Sequence, residues 1–590
     1  MLKAFHEACH EALARRFSQS PVLFERLPLS LPHHDSKLLH ITKETLECAL
    51  EAGFTTITYH LPENFLKDIK TLSQSKENSM LESFVLDYII NNSLIAHEGI
   101  YPLCQDTGTA SVYSWRGNGI ITDTEKSDYT IFSEAVAKVW TRARLRNSQL
   151  APTASYTETN TGNNLPLLLE NFSVPGTSWD FIITAKGGGS SNKSTIIQAT
   201  KSSLNQSGIT NLFKDYIRAL GVSACPPYTI GIAIGGQSPE ESMFAAKLAS
   251  SEMLDYIGEA PEVPFRDHEL ETLCLRLAES SGWGAQFGGR RLIRKAIVLR
   301  LTRHAASLPI SFAVSCTAHR WAQLHIDPMG IYLERMADPT HIDSITEASH
   351  SAVTTAATQP VSNVAPERPI AIAGHPSGTE HSESLQLQGT ARVSFFEPGM
   401  LQRLNESTVL QTMQLSINDL SACRSITAGT LVRASGIVLL ARDAVHARLL
   451  ELIHTNIALP DWAYQYPVFY ASPTETPEGC CIGSIGPTTS KRMDPYVKTF
   501  LKRSIFTVMI GKGEREQSIS EACKTFGGVY FAAPGGCSAI LAKHHVTESK
   551  IIDWHELDME AVRLITIKDM PLLCIIDSAG NDFYKYVTIL

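Results

Sequence analysis

Residues 351–384 read SAVTTAATQPVSNVAPERPIAIAGHPSGTEHSES. Alanine, threonine, serine, proline and histidine crowd this stretch, and its few apolar residues keep no helical or strand period. A segment of this kind buries too little apolar surface to offset the entropy of ordering it, so 346–388 reads as a flexible linker. In front of it, residues 1–345 show a mainly helical pattern punctuated by glycine. Behind it, residues 389–590 alternate short β-rich runs with helices. The expectation is therefore a mixed α and α/β chain of two unlike domains, helical and then α/β.

Bulk properties agree with that division. At 590 residues the chain exceeds what one hydrophobic core organises. A formal charge of -9 argues against a broad nucleic-acid-binding face, though a few cations in a cleft still suit an anionic small molecule. No apolar run approaches the roughly 20 residues that span a bilayer. The N-terminal MLKAFHEACHEALARRFS reads as an amphipathic helix without a secretory core. Its Glu7 and Glu11 are unusual in a mitochondrial transit peptide, so the expected location is cytoplasmic, with mitochondrial second. Twelve cysteines with no CxxC pair describe neither a disulfide scaffold nor a local metal motif.

Individual elements follow from period and punctuation. Residues 82–97 (ESFVLDYIINNSLIAH) and 240–254 read as helices. Strands are expected at 181–184, 310–314, 431–440, 504–510, 564–567 and 572–576, with a helix at 443–453 and a turn at 577–581.

Three cysteines stand in backgrounds that a plain core would not require. Cys104 lies in YPLCQDTG, followed by two polar side chains and a glycine. Cys225 lies in ACPPYTIGIAIGG, on a turn stiffened by two prolines before a buried strand. Cys316 lies in SCTAHR, at the end of the strand expected at 310–314. A thiolate binds iron, but these residues are far apart in the chain and their spacing alone defines no site. Two glycine-rich stretches lie among them. AKGGGSSNKS (185–194) resembles a phosphate loop, yet Asn192 stands where the Walker pattern has glycine before Lys-[Ser/Thr]. GWGAQFGGR (282–290) is too rich in glycine for a helix interior and implies backbone packed closely against something. In the second half, Arg433, Arg442, Arg492 and Lys512 occupy turn-like settings. Residues 486–490 (GPTTS) can open a helix whose free N–H groups favour an anion. Arginine there can hold a carboxylate with two parallel hydrogen bonds.

Together these segments resemble the class I, iron–sulfur fumarases. CQDTG, AKGGGSSNKS, ACPPY, GAQFGG, the RH of LTRHAAS and the cysteine of SCTAHR follow the family's first domain in order. ARDAVH, TPEG, GPTTSKRMD, GKG, LDMEA and GNDF follow its second, a swivelling β/β/α-type domain, and the likeness runs from about residue 40 to 590. The resemblance implies a [4Fe–4S] cluster held by Cys104, Cys225 and Cys316, with one iron open to substrate. It implies Gln105, Asp106, Arg146, Gly189 and His304 as pocket residues from the first domain. Arg442, Thr488, Arg492 and Lys512 would come from the second. Thr488 and Asp106 are then candidate bases, His304 an orienting or proton-shuttling partner, and Gln105, Arg146, Gly189, Arg442, Arg492 and Lys512 the substrate-binding set. The implied reaction is reversible hydration of fumarate to malate by a homodimer. The chain departs from the family pattern at His319, where an acid is usual, at PGGCS (534–538), at Cys480-Cys481 and in the long linker.

Other readings remain open at this point. Mesaconate or tartrate could replace fumarate in the same chemistry. The 186–194 loop could belong to a nucleotide phosphohydrolase, or the cluster to a non-catalytic, redox-responsive binding protein.

Overall fold

The structure is a computed structural model that describes residues 3–30, 33–34, 37–342 and 413–588. The linker expected at 346–388 lies outside these residues. Met1–Thr340 and Gln414–Leu590 pack as one compact unit.

The first half is not mainly helical. It is built on a six-stranded and a five-stranded sheet, which corrects the sequence expectation. The six-stranded sheet centres on Trp179–Lys186, antiparallel to both Thr109–Gly117 and Trp321–Asp327. Helices Lys43–Tyr59 and Asp128–Arg142 cover one face through Leu46, Phe54, Phe132 and Trp140, packed on Val112, Phe181 and Leu324. Phe5–Gln19, the helix expected at the N-terminus, covers the other face.

The five-stranded sheet carries Tyr228–Gly236 at its centre, parallel to Ile293–Arg303 and antiparallel to Leu308–Ser315. Every residue of Tyr228–Gly236 is buried. A strand covered on both faces shows no polar alternation, which is why period alone cannot separate it from a buried helix. Helix Pro239–Ala249 lies directly over Gly231, where a Cβ would collide with the Ala246 carbonyl. The register sets Thr229 opposite Ser315, so Cys225 and Cys316 leave the sheet at the same end.

In the second half Leu431–Leu440, Val468–Phe469, Val508–Gly511 and Val529–Ala532 run parallel. The long strand Val562–Ile576 pairs antiparallel with both the first and the last of them, which closes the sheet on itself. Helices Asp443–His454, Asp494–Leu501 and Gln517–Phe526 lie on the connections between parallel strands. The strands expected at 564–567 and 572–576 are thus one strand, bent at Asp569, whose φ is +49°. The strand expected at 504–510 is shorter, because Ser504 and Phe506 take positive φ.

The halves interlock at Ser538–His545, a helix whose first N–H groups, those of Ala539 and Ile540, donate to the Asn92 carboxamide on helix Met80–His97. No helix among the described residues is long and apolar enough to cross a membrane.

Candidate functional site

Each cysteine of the expected triad is fixed through its main chain. Cys104 follows Leu103, whose N–H donates to the Thr58 carbonyl. The Leu103 carbonyl accepts from Asn92 at 3.0 Å and from the Ser538 N–H. Cys225 sits at φ +66°, and its carbonyl accepts from the Thr317 N–H at 3.2 Å, which ties it to the turn that carries Cys316. The Cys316 carbonyl accepts from the His319 N–H at 3.0 Å. The three thiols lie close enough to act on one another's charge, and the Lys512 ammonium acts on Cys104 and Cys225. Lys512 Nζ donates to Cys225 Sγ at 2.8 Å. Burial pushes Cys225 up to about 12 and raises Cys104. Burial works against the Lys512 charge, but the surrounding thiols reverse that and raise its pKa.

Next to the thiols stands Asp106. Burial alone would raise it, but Arg146, Arg320 and Lys512 outweigh that, with help from the Gly188 N–H, and hold it ionised below the ordinary range. Arg146 Nη2 lies 3.3 Å from Asp106 Oδ1, and Gly188 N–H donates to Asp106 Oδ2 at 2.8 Å. At Gly187 a Cβ would come within 2.8 Å of Asp106 Oδ2. The AKGGG backbone is therefore shaped around a carboxylate of the protein itself. Gly189 packs on Ala224, beside Cys225. Lys193, the would-be phosphate lysine, donates to the Ala219 carbonyl at 2.8 Å and faces Glu514. This removes the basis of the nucleotide reading.

The second half closes the site with cations. Ser472 Oγ accepts from Arg442 Nη1 at 2.7 Å and from Arg146 Nη1 at 3.3 Å, bridging the halves. Arg442 also faces Glu560 at 3.3 Å, and Arg492 faces Asp443 at 3.2 Å. Arg492 Nη2 donates to Thr488 Oγ1 at 3.3 Å, and burial lowers the pKa of both Arg492 and Arg146. Gln105 donates weakly to the Pro487 carbonyl and accepts from Ser538 Oγ. Thr489 Oγ1 donates to the Ser223 carbonyl at 3.1 Å, beside the Cys225 turn.

Two residues singled out in the sequence do not join. His304 is exposed in the turn between Ile293–Arg303 and Leu308–Ser315, where its Nδ1 accepts from the Ala306 N–H. Its neighbour Arg303 pairs with Gly236, at the opposite end of the strand from Tyr228 and the cysteines. At about 3.3 Å per residue that separation is about 25 Å within one chain. Arg433 is also elsewhere, opposite Pro571 in the closed sheet, where its charge acts on His545.

The structure adds Ser472, Asp443, Glu560, Ser538 and Arg320 to the set. Arg320 Nη2 donates to the Asp106 carbonyl at 2.7 Å, and its charge acts on Cys104. Arg320 and Glu560 both lie inside motifs already read, SCTAHR and LDMEA, and their charge was the available signal. Ser472 carried none.

Among the described residues no three His, Cys, Asp or Glu side chains converge as ligands of a single metal ion. A polynuclear cluster makes a different demand, because each thiolate binds a different iron and the ligands stand farther apart. The cysteine wall fits that demand: Gly535 and Gly536 border Cys225, and a Cβ on Gly535 would come within 2.5 Å of its Sγ.

The family profile described as fumarate hydratase (Fumerase) matches residues 48–325, and the fumarase C-terminus profile matches residues 394–587. "Fumarate hydratase 2" of Leishmania major is 33% identical over 552 residues, covering 93% of this chain and 88% of that protein. "Fumarate hydratase 1, mitochondrial" of the same organism is 31% identical, covering 93% and 91%. "Fumarate hydratase class I, aerobic" of Escherichia coli K12 is 31% identical over 556 residues, covering 94% and 92%. With both profiles matched in order and relatives of this kind aligned over nearly the whole chain, the protein belongs to the class I fumarate hydratase family of hydro-lyases.

Proposed function

We propose that the chain catalyses the reversible hydration of fumarate to (S)-malate, using a [4Fe–4S] cluster held by Cys104, Cys225 and Cys316. The observation that carries this reading is the meeting of three thiols with Arg146, Arg320, Arg442, Arg492 and Lys512 around Asp106. Five cations against the carboxylates Asp106, Asp443 and Glu560 leave a surplus of positive charge for a dianionic substrate.

When bound, the cluster supplies Lewis-acid polarisation of a substrate carboxylate and hydroxyl at its one iron without a protein ligand. Arg146 and Arg442, held together by Ser472, are placed to grip the other carboxylate, and Arg492 adds a donor from the side of Thr488. These cations, with Lys512, stabilise the charge that gathers on that carboxylate as the C3 proton of malate leaves. Asp106 is kept ionised by its neighbours and can accept a proton as it stands. Thr488 becomes a base only by losing its own proton, which the facing guanidinium of Arg492 favours. In this arrangement Gln105 and Gly189 shape the wall beside Asp106 and Cys225, and His304 has no part within one chain.

The same reading takes 1–345 and 389–590 as two domains joined by the linker 346–388, and the two profile matches fall on either side of it. It also takes the protein as a cytoplasmic homodimer. Surface such as the hairpin Leu150–Asn160, with Tyr156 fully exposed at its tip, is available for a second copy to cover.

Anaerobic purification with iron and sulfide assays tests the proposal, followed by rates on fumarate, mesaconate and tartrate. Iron-bearing protein that turns over fumarate fastest is expected. Active protein free of iron overturns the mechanism, and faster turnover of mesaconate or tartrate reassigns the substrate.

A further inference from the structure

The GAQFGG loop takes no direct part in the chemistry above, yet it is organised at unusual cost. Glu82 is fully buried, and its Oε1 accepts from the backbone N–H groups of Ala285, Arg290 and Arg291 at 3.3, 2.9 and 2.5 Å. Gly289 lies against the same carboxylate, where a Cβ would come within 2.7 Å of it. From the other side Tyr584 Oη donates to the Gln286 carbonyl at 2.9 Å. Gripped in this way, Gln286 takes a φ of +73°, a left-handed conformation that a non-glycine residue keeps only when its surroundings impose it.

The result is the direction of its side chain. Gln286 is 4% exposed, and its carboxamide makes three hydrogen bonds. Nε2 donates to the carbonyls of Pro226 and Gly535, each at 3.0 Å, and Oε1 accepts from the Gly535 N–H at 2.7 Å. Pro226 directly follows Cys225, and Gly535 is the residue whose Cβ would come within 2.5 Å of Cys225 Sγ. One carboxamide thus ties the backbone after Cys225 to the backbone that walls in its sulfur.

We propose that Gln286 is a positioning residue for the cluster: it holds the Gly535 peptide against the Cys225 thiol and joins the first half's ligand turn to the second half's wall. The inference rests on the reading of Cys225 as a cluster ligand. The dipoles and packing around a ligand sulfur tune how firmly it holds iron and at what potential, so loosening this peptide alters the bound group without touching a ligand.

The test uses the full chain, purified and loaded with iron and sulfide under anaerobic conditions. Gln286→Glu keeps the size and the acceptor for Gly535 N–H but sets an oxygen against two carbonyls. Gln286→Met keeps the length and removes all three hydrogen bonds. Both variants are expected to bind iron initially and to lose cluster absorbance in air about tenfold faster than the parent, with a shifted electron paramagnetic resonance spectrum of the reduced cluster. Tyr584→Phe, which weakens the same loop away from Cys225, is expected to lower thermal stability and leave the spectrum unchanged.

Parent protein that takes up no iron removes the functional reading itself. Parent protein that loads normally, with parental spectrum and air stability in a folded Gln286 variant, overturns the positioning role. If Gln286→Glu does not fold, Gln286→Met decides. If Tyr584→Phe shifts the spectrum as much as the Gln286 variants do, loop stability and not the carboxamide is responsible, and the proposal also falls.

Discussion

The two halves of the molecule supply their parts of the site in opposite ways. In the first half the thiols are placed by main-chain bonds at strand ends: Cys225 is tied by the Thr317 N–H and Cys316 by the His319 N–H. In the second half Arg442 and Arg492 are placed by side chains, with Glu560, Asp443 and Ser472 as partners. Backbone placement suits ligands of a resident group, whose geometry must be reproduced within tenths of an ångström. Side-chain placement suits a substrate that comes and goes. Asp106, Glu560 and Asp443 pair with Arg146, Arg442 and Arg492, which offsets the cost of holding those guanidiniums together.

The sharpest way to break this comparison is to remove a thiol. Cys104→Ser, Cys225→Ser or Cys316→Ser is expected to abolish cluster absorbance and with it all measurable hydration. Cys48→Ser, on the exposed side of helix Lys43–Tyr59, should retain both. Iron and sulfide per chain is the measurement. Full iron content in any one of the three would show that its neighbours hold the cluster without it.

A smaller effect is expected from the second half. Arg442→Ala leaves a desolvated substrate carboxylate short of a charged partner, which costs about 2–5 kcal/mol, or roughly thirty- to several-thousand-fold in kcat/KM. Arg492, with its side chain 41% exposed, should cost toward the lower end of that range. Neither substitution should change the cluster spectrum. If Arg442→Ala also bleaches the protein, the division of labour between the halves is wrong.

How much of this was legible beforehand differs between the halves for a physical reason. Apolar residues at helical spacing announce a helix, and Met80–His97 and Asp443–His454 lie within two residues of where the pattern put them. The first half's sheets were read only in pieces: 181–184, 310–314 and the buried run after Cys225 were expected as strands and lie in Trp179–Lys186, Leu308–Ser315 and Tyr228–Gly236, whereas Thr109–Gly117, Ile293–Arg303 and Trp321–Asp327 were not. The site's thiols and cations were readable only through ordered motifs, since contacts such as Lys512 with Cys225 join residues far apart in the chain. Ser472 was invisible because a serine in a loop carries no signal until Arg146 and Arg442 are seen to converge on it. His304 stands apart within one chain because its strand end points away from Cys225, and a motif fixes order along the chain, not proximity across a sheet.

Ser472 gives the intermediate test. Its hydroxyl accepts from Arg146 and from Arg442, across the halves. Ser472→Ala removes about 1 kcal/mol of hydrogen bonding from each guanidinium at most, so KM for fumarate should rise about five- to tenfold with kcat nearly kept. An equal fall in kcat, with KM unchanged, would instead place the serine in the transition state and not in substrate positioning.

The smallest expected effect concerns stability and separates the halves by pH. His325 is buried in the first half, stacked on Phe17 of the N-terminal helix at 4.0 Å, with Nδ1 2.8 Å from Asp180 and Nε2 3.5 Å from Asp327. Burial works against its charge, but Asp180 and Asp327 outweigh that and raise it from 6.5 to about 9. In the second half the described histidines that shift all go down, with His446 and His545 near 4 through burial. A histidine raised on folding contributes fully below its unfolded value, and the contribution is lost as pH climbs through the folded one. The window is therefore 6.5 to about 9. Across it the first half should lose on the order of 1–3 kcal/mol, lowering the apparent midpoint of thermal unfolding by about 1–3 °C. His325→Gln should be less stable at pH 6 and should flatten that slope. Hydrogen exchange supplies the regional readout, because alkaline loosening belongs to Phe5–Gln19 and its sheet and not to the closed sheet of the second half. Equal loosening of Val562–Ile576 over the same window would mean that the two halves unfold as one, and the contrast between them would then be one of placement alone.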